Sequence, residues 1–333
     1  MISTTNGTSG ARRTWRRTVL KGALGVGALA GCGNDSRGGV EDGVAEGQGK
    51  ERERRAGPQS SDPASAEGSS VMRAFEDARP NRFVQRLLGD RHSLPLSIVL
   101  HLVPGVLIVA AYLLIGEPVV EAIGYPSLLG WAIALCLVLI PILSGLLWLG
   151  RRHNGRFSLR GVLHYTGRPL SRGKLAAMVI PLIVWMMVLS FATAPLNTFF
   201  LENFFTRVPY NDDAGSATKF LDGYSYSVML TTMLVCLPLT GISLPLIEEL
   251  YFRGFLLPRI AHLRGWAPVV SAVLFSLYHF WSPWVFVSRV IFMFPGFWFA
   301  WREKDIRLSI GMHVGVTSIM ATLGTIAVAL NLI

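Results

Sequence analysis

Apolar residues cluster in seven blocks along the chain from about residue 94 onward, and polar residues concentrate in the connections between them. Most blocks are close to the roughly 20 residues that an α-helix needs to cross a bilayer, and they lack the spacing of an amphipathic soluble helix. The pattern predicts an all-α, polytopic transmembrane helix bundle of about seven spans. We place the spans near 94–115, 127–149, 175–195, 226–257, 267–281, 284–300 and 308–331.

The fourth block contains Pro238 and Pro245, which predict that its helix is broken. A broken helix at membrane depth is tolerated where neighbouring protein or a wet cavity satisfies the freed backbone groups. This block is therefore a place to look for function.

Composition supports a membrane protein, since 51% of residues are hydrophobic and 16% are charged. The net charge of +10 raises the possibility of nucleic-acid binding. The basic residues crowd the loops, however, which is how membrane topology is set, so we expect no nucleic-acid partner. The three cysteines lack metal-ligand spacing and predict neither a zinc finger nor a disulfide framework: they are Cys32, Cys136 and Cys236.

Lysine and arginine distribute unevenly between alternate connections. One set of connections has only Arg207 and Lys219, and we expect it to lie outside. The positive-inside rule makes the other set cytoplasmic. Its basic residues are Arg79, Arg82, Arg86, Arg91, Arg151, Arg152, Arg156, Arg160, Arg168, Arg172, Lys174, Arg259, Arg264, Arg302, Lys304 and Arg307.

The N-terminal region differs from the rest of the chain. Residues 1–32 form a signal-like segment that resembles a twin-arginine export signal ending in a lipobox, with Arg16, Arg17 and Cys32 in the matching positions. Residues 33–90 have the composition of a disordered linker. A lipidated Cys32 would invert the orientation that the loop charges predict. Translation from Met72 or an unused signal would remove this conflict, and the sequence leaves both open.

Glu248, Glu249 and Arg253 are ionisable residues inside the fourth block, "LIEELYFRGF". A charge at that depth costs at least about 2.5 kcal/mol and usually faces a cavity or a partner. Glu249 and Arg253 are four residues apart with the acid first, which favours an ion pair on one helix face. Glu248 points about 100° away and is left free to react. A buried structural pair beside a protonated Glu248 is the alternative interpretation.

Two histidines lie in later apolar blocks. His279 follows Phe275 by one turn in the fifth block, and His313 precedes Thr317 by one turn in the seventh. Counted from the cytoplasmic arginines at 1.5 Å per residue, Glu248 and His279 reach overlapping depths. A lone histidine in a span is usually a packing residue, but two near one glutamate indicate a site.

These residues resemble the motifs of the CPBP family of intramembrane proteases, which includes CAAX prenyl endopeptidases and bacteriocin-immunity relatives. The chain carries E-E-x-x-x-R from Glu248, F-x-x-x-H ending at His279, and a histidine on the last span at His313. The resemblance covers roughly residues 226–325. We accordingly assign 226–331 to a catalytic core and 91–225 to accessory helices. Thr317 departs from the family pattern, which usually has Asn or Asp there.

The resemblance implies peptide-bond hydrolysis by activated water. Glu248 would be the general base, His279 would hold the water, and His313 with Thr317 would donate to the oxyanion. Glu249 and Arg253 complete the site as the motif's ion pair. Glu248, His279 and His313 also offer three ligands for a catalytic Zn²⁺, although the chain lacks an H-E-x-x-H helix, so both mechanisms stay open.

Two other functions fit part of the pattern. A non-catalytic scaffold or immunity-type protein would keep the fold, and a proton-coupled transporter would also bury carboxylates, although no second copy of the Glu-Glu motif is present. The prokaryotic signal pattern makes prenylated CAAX proteins doubtful substrates. We expect a membrane-associated protein or peptide substrate, a multi-pass location in the cell membrane, and a site accessible from the cytoplasmic side.

Overall fold

The computed structural model describes residues 82–167, 169–208 and 221–332, so the predictions for residues 1–81 lie outside the described residues. Within these ranges the chain is helical and contains no β-strand. The α-helices are α1 (Arg82–Leu88), α2 (Leu94–Ile123), α3 (Ser127–Asn154), α4 (Arg172–Ala192), α5 (Ala194–Phe204), α6 (Tyr226–Arg259), α7 (Trp266–Tyr278), α8 (Phe286–Glu303) and α9 (Arg307–Ala329).

Six helices of the described chain are long and apolar enough to cross a membrane: α2, α3, α4, α6, α8 with its preceding turn, and α9. They confirm the all-α polytopic bundle. The fifth predicted span is the exception, because α7 has only 13 residues. At 1.5 Å per residue it is about 20 Å long, short of the roughly 30 Å hydrocarbon core.

Helix α7 ends early because the chain turns sharply after Tyr278. The Phe280 amide donates to the Tyr278 carbonyl over 2.8 Å, and His279 leaves the helical region with φ −78° and ψ 59°. His279 is therefore the cap of a short helix, not a residue within a span as predicted. The turn that follows leads into a 3₁₀ helix, Pro283–Val285, and then into α8.

Helix α6 is continuous over 34 residues, so the predicted break at Pro238 and Pro245 is wrong. It instead contains two π-helical stretches, Leu237–Ser243 and Glu249–Leu256. A π-turn adds one residue to a helical turn, so the helix can continue past a proline, which has no N–H to donate. Such turns recur at functional sites. Side-chain hydroxyls donate hydrogen bonds to backbone carbonyls in this region. For example, Thr240 Oγ1 donates to the Cys236 carbonyl over 2.9 Å.

The connections richest in arginine and lysine meet at one end of the bundle. This agrees with the charge pattern that groups them on a single side of the membrane. Hydrogen bonds join these connections to one another. The His92 amide donates to the Arg259 carbonyl, the His164 amide donates to the Gly254 carbonyl, and the Leu170 amide donates to Asp305. Lys174 and Glu303 form an ion pair.

Asp305 links the α8–α9 connection to the loop before α4 at this end of the bundle. Its carboxylate accepts from the Leu170 amide over 2.9 Å and from Arg307 Nη2 over 2.6 Å. Burial raises the pKa of Asp305, but the hydrogen bonds from Arg307 and Leu170 outweigh burial and hold that pKa below its usual range. The long loop before α4 is thereby tied to the start of α9.

Helix α1 shows that the linker predicted to reach residue 90 ends earlier. The buried Arg259 guanidinium donates to the Leu87 carbonyl over 3.0 Å and to the Val162 carbonyl over 3.2 Å. It also lies 4.1 Å from the centroid of the Phe255 ring. These contacts hold α1 against the bundle, because a buried guanidinium needs several acceptors.

Gly105 allows α2 to approach the end of α7. A Cβ at this position would lie 1.9 Å from the Tyr278 carbonyl oxygen, so only glycine fits. Small residues at helix interfaces let backbones come close in membranes. The position of the Tyr278 backbone therefore depends on Gly105.

We expect Gly105→Ala to destabilise the protein by about 1–3 kcal/mol, because overpacking forces the α2 and α7 backbones apart. Gly145→Ala is the matched control, since a Cβ at that helical position meets nothing within 4 Å. It should leave the melting temperature equal or raise it, as removing a helical glycine usually does. Thermal melts of both variants in detergent provide the test, and equal melting temperatures would contradict the close approach.

Candidate active site

The two glutamates of the fourth block lie where α6 changes from α to π geometry. Glu248 is the last residue of the α-helical part and Glu249 the first of the π-helical part. Glu248 is 5% exposed, and Glu249 and Arg253 are 0% exposed. The wide turn directs the adjacent side chains toward different partners.

Glu249 is a paired carboxylate. Its Oε1 lies 2.9 Å from Arg253 Nη1, which confirms the predicted ion pair, and 2.8 Å from His313 Nδ1. The angles of the arginine contact do not suit a hydrogen bond, since among the described residues all three Arg253 nitrogens have none. The attraction is therefore mainly Coulombic, and strong at this burial.

The Arg253 guanidinium is held between two aromatic rings. Its carbon lies 4.0 Å from the Phe275 centroid and 3.8 Å from the Phe297 centroid. Cation–π attraction to both faces offsets part of the cost of burying the cation. The arginine thus brings together α6, α7 and α8, and Glu249 adds α9 through His313.

Glu248 has a different neighbour that the sequence analysis missed. The Tyr278 hydroxyl donates to Glu248 Oε1 over 2.8 Å, and both side chains are buried. Glu248 Oε2 lies 4.0 Å from His313 Nε2. No motif pointed to Tyr278, although its place directly before His279 could have suggested a shared site.

His279 is the C-terminal cap of α7, and one of its ring nitrogens makes a hydrogen bond to the backbone. Its Nδ1 lies 2.8 Å from the Phe275 carbonyl oxygen, which can only accept, so Nδ1 carries a proton. In the neutral ring Nε2 is then an acceptor. His279 can therefore accept a hydrogen bond from water, as the resemblance implied.

His313 contacts both glutamates. Its Nδ1 faces Glu249 Oε1 at 2.8 Å and its Nε2 faces Glu248 Oε2 at 4.0 Å. A carboxylate can only accept, so Nδ1 carries the proton and Nε2 can donate only when the ring is an imidazolium. Donation to an oxyanion therefore requires a charged His313.

Thr317 does not have a hydroxyl free for substrate. Its Oγ1 lies 2.8 Å from the Gly241 carbonyl, 3.0 Å from the His313 carbonyl and 3.2 Å from the Val314 carbonyl. One hydroxyl hydrogen serves these backbone acceptors. The hydroxyl ties α9 to the first π-helical stretch of α6.

Arg289 is a second cation near the site that the sequence analysis overlooked. It lies in α8 and interacts electrostatically with Glu248, Tyr278 and His279. Its Nη2 donates to Ser282 Oγ over 2.8 Å. A lone arginine in an apolar block is itself a sequence signal of function.

The sequence left open a Zn²⁺ site formed by Glu248, His279 and His313. In the part of the chain that the structure describes, no three His, Cys, Asp or Glu side chains are arranged to hold a metal ion. Both glutamates are already engaged by Tyr278, Arg253 and His313. The donor set of Glu248, His279 and His313 therefore does not fit Zn²⁺ in this arrangement, and metalloprotease chemistry has no support here.

Residues 230–319 match the family model described as Rce1-like: Type II CAAX prenyl endopeptidase Rce1-like. This confirms the resemblance, and the matched segment spans most of α6, all of α7 and α8, and the first half of α9. It contains every residue of the site described above. No curated protein and no solved structure matches the chain.

We expect Glu249→Gln to lower stability by about 3–5 kcal/mol, because it leaves Arg253 as a buried unpaired charge. Replacing Arg253 with Met in the same protein should recover part of the loss, since no orphan charge remains. Melting temperatures of the single and double variants in detergent test the pair. A single variant that melts like the wild type would show that Glu249 is dispensable to the fold.

Proposed function

We propose that the protein hydrolyses a peptide bond of a membrane-associated protein or peptide, with Glu248 as the general base. The observation that carries the proposal is the different environment of two adjacent carboxylates. Glu249 is held by Arg253, whereas Glu248 receives a hydrogen bond from Tyr278 and faces His313. In this proposal, one carboxylate supports the fold and the other accepts a proton.

Glu248, His279 and Tyr278 have separate roles in activating the water molecule. Glu248 takes a proton from water while His279 Nε2 accepts the second hydrogen of that water and orients it. Tyr278, by donating to Oε1, leaves Oε2 as the oxygen that receives the proton. Because the site is buried, each of these contacts acts in a low dielectric and is stronger than in water.

The second half of the reaction returns the proton. Attack of the hydroxide on the substrate carbonyl gives a tetrahedral intermediate whose oxygen carries the negative charge. Collapse of the intermediate breaks the C–N bond, and Glu248 gives its proton to the leaving amine. The charged form of His313 would donate from Nε2 during this sequence.

The site is proposed to be open to the cytoplasmic side. The end of the bundle that gathers the basic connections is the end at which α6 finishes with Arg259. The positive-inside rule places such an end in the cytoplasm. Substrates anchored in the membrane would then present a bond near the cytoplasmic leaflet.

Glu248→Gln keeps the side-chain shape and removes the base, so we expect cleavage to fall by about 100-fold or more. Folding should be preserved, because the glutamine can still accept from Tyr278. The assay uses protein purified in detergent, a quenched-fluorescent peptide that the wild type cleaves, and a melting curve for each variant. Glu202→Gln on the exposed surface of α5 is the matched control.

Normal cleavage by Glu248→Gln would overturn the assignment of the base. Absence of cleavage in the wild type across a broad peptide set would favour the non-catalytic scaffold. We also expect cleavage to continue in the presence of a zinc chelator. If the chelator abolished cleavage and added Zn²⁺ restored it, the metal mechanism would be supported instead.

Orientation is tested by cysteine labelling in a variant without native cysteines. A cysteine at Arg156, exposed after α3, should resist a membrane-impermeant thiol reagent in intact cells and react after lysis. A cysteine at Arg207, exposed after α5, should react in intact cells. The reverse pattern would place the basic end outside.

A further inference from the structure

The site as described has no permanent donor for the oxyanion. The Thr317 hydroxyl is directed at backbone carbonyls of α9 and α6. His313 Nε2 can donate only when the ring is charged, because Nδ1 faces Glu249. Stabilising an oxyanion is usually the largest electrostatic contribution to acyl transfer, so a second donor that is always charged would add to what His313 supplies.

Arg289 is anchored beside the reacting groups. Its Nη2 donates to Ser282 Oγ over 2.8 Å, and the Ser282 amide donates to the His279 carbonyl over 3.0 Å. Two hydrogen bonds therefore connect the guanidinium to the turn that carries His279. Its charge interacts electrostatically with Glu248, Tyr278 and His279, so it lies in the same buried region as these groups.

One guanidinium nitrogen of Arg289 has no partner within the described chain. Its Nη1 is buried and makes no hydrogen bond there. A buried donor without an acceptor is costly and rare in folded proteins, so Nη1 is available to a ligand oxygen that enters the site. A guanidinium stays charged and offers several donors in one plane, which suits a negatively charged oxygen.

We propose that Arg289 stabilises the oxyanion of the tetrahedral intermediate through Nη1, in the role that the family motif gives to the residue at 317. The proposal rests on the proposed endopeptidase function. When hydroxide adds to the substrate carbonyl, the π electrons move to oxygen and that oxygen faces Nη1. The same electrons re-form the carbonyl as the C–N bond breaks, so Arg289 exchanges no proton.

Ser282 is the positioning residue in this arrangement. It contacts Arg289 and the His279 backbone but none of the reacting atoms, so its effect on the reaction passes through the guanidinium. An Arg289 with a purely structural role would make the same hydrogen bond to Ser282, so a change in stability does not distinguish a structural role from a catalytic one. The turnover number and the affinity for a charged analogue distinguish them.

The test compares kcat and KM for Arg289→Gln, Arg289→Lys and Ser282→Ala on the peptide used above. Arg289→Gln should lower kcat by about 100-fold or more with KM within about threefold, because the lost contact forms in the transition state. Arg289→Lys should recover part of kcat, and Ser282→Ala should lose part of it. Arg302→Gln, an exposed arginine on the same helix, is the control.

A binding measurement covers the case in which Arg289→Gln folds poorly. A phosphonate analogue of the peptide carries the charged tetrahedral geometry of the intermediate, and a methylene analogue of the same peptide is uncharged. Ser282→Ala and Arg289→Lys should weaken phosphonate binding more than methylene binding, measured by shifts in melting temperature. Equal weakening of both analogues would overturn the proposal.

Failure of this proposal differs from failure of the proposed function. Cleavage that depends on Glu248 but keeps its kcat in Arg289→Gln would overturn only the role of Arg289, and so would a rise in KM with kcat unchanged. A larger kcat loss in Thr317→Val than in Arg289→Gln would return the oxyanion role to Thr317. Wild-type cleavage that survives Glu248→Gln would overturn the general-base mechanism on which the proposal rests.

Discussion

The buried ion pair between Glu249 and Arg253 is the contact on which the packing of α6, α7, α8 and α9 depends. Both side chains are fully buried, and a charge at that depth is stable only while its partner stays in place. Phe275 and Phe297 cover the guanidinium from α7 and α8, and His313 reaches Glu249 from α9. Four helices from distant parts of the sequence therefore meet at one charge pair.

This constraint also sets the position of Glu248. The residue is adjacent to Glu249 at the start of a π-helical stretch, so its side chain cannot follow its neighbour into the ion pair. It meets Tyr278 instead, whose backbone is held by the close approach of Gly105. The ion pair fixes Glu249 in place, and Glu248 is left with separate contacts to Tyr278 and His313.

The shortness of α7 matters as much as the charges do. A full span would carry His279 within regular helix, where its backbone would be bonded internally. The early end of α7 instead makes a turn from Tyr278 to Ser282 at the site, with the histidine ring, the tyrosine hydroxyl and the anchor of Arg289 all on it. Irregular backbone inside a membrane protein is stable where protein or water satisfies its polar groups.

The sequence by itself determined the all-α bundle, the grouping of basic connections and the pairing of Glu249 with Arg253. Each follows from local rules, since span length, loop charge and a four-residue spacing act within one segment of the chain. The motif residues could also be recognised, because their spacing is preserved within each helix.

Only the tertiary structure decided which groups meet between helices. Tyr278 binds Glu248 across 30 residues, Thr317 gives its hydroxyl to Gly241 across 76, and Arg289 lies beside a site that no spacing connects it to. Helix register and turn geometry settle those contacts, and both depend on packing between segments rather than on the order of residues within one.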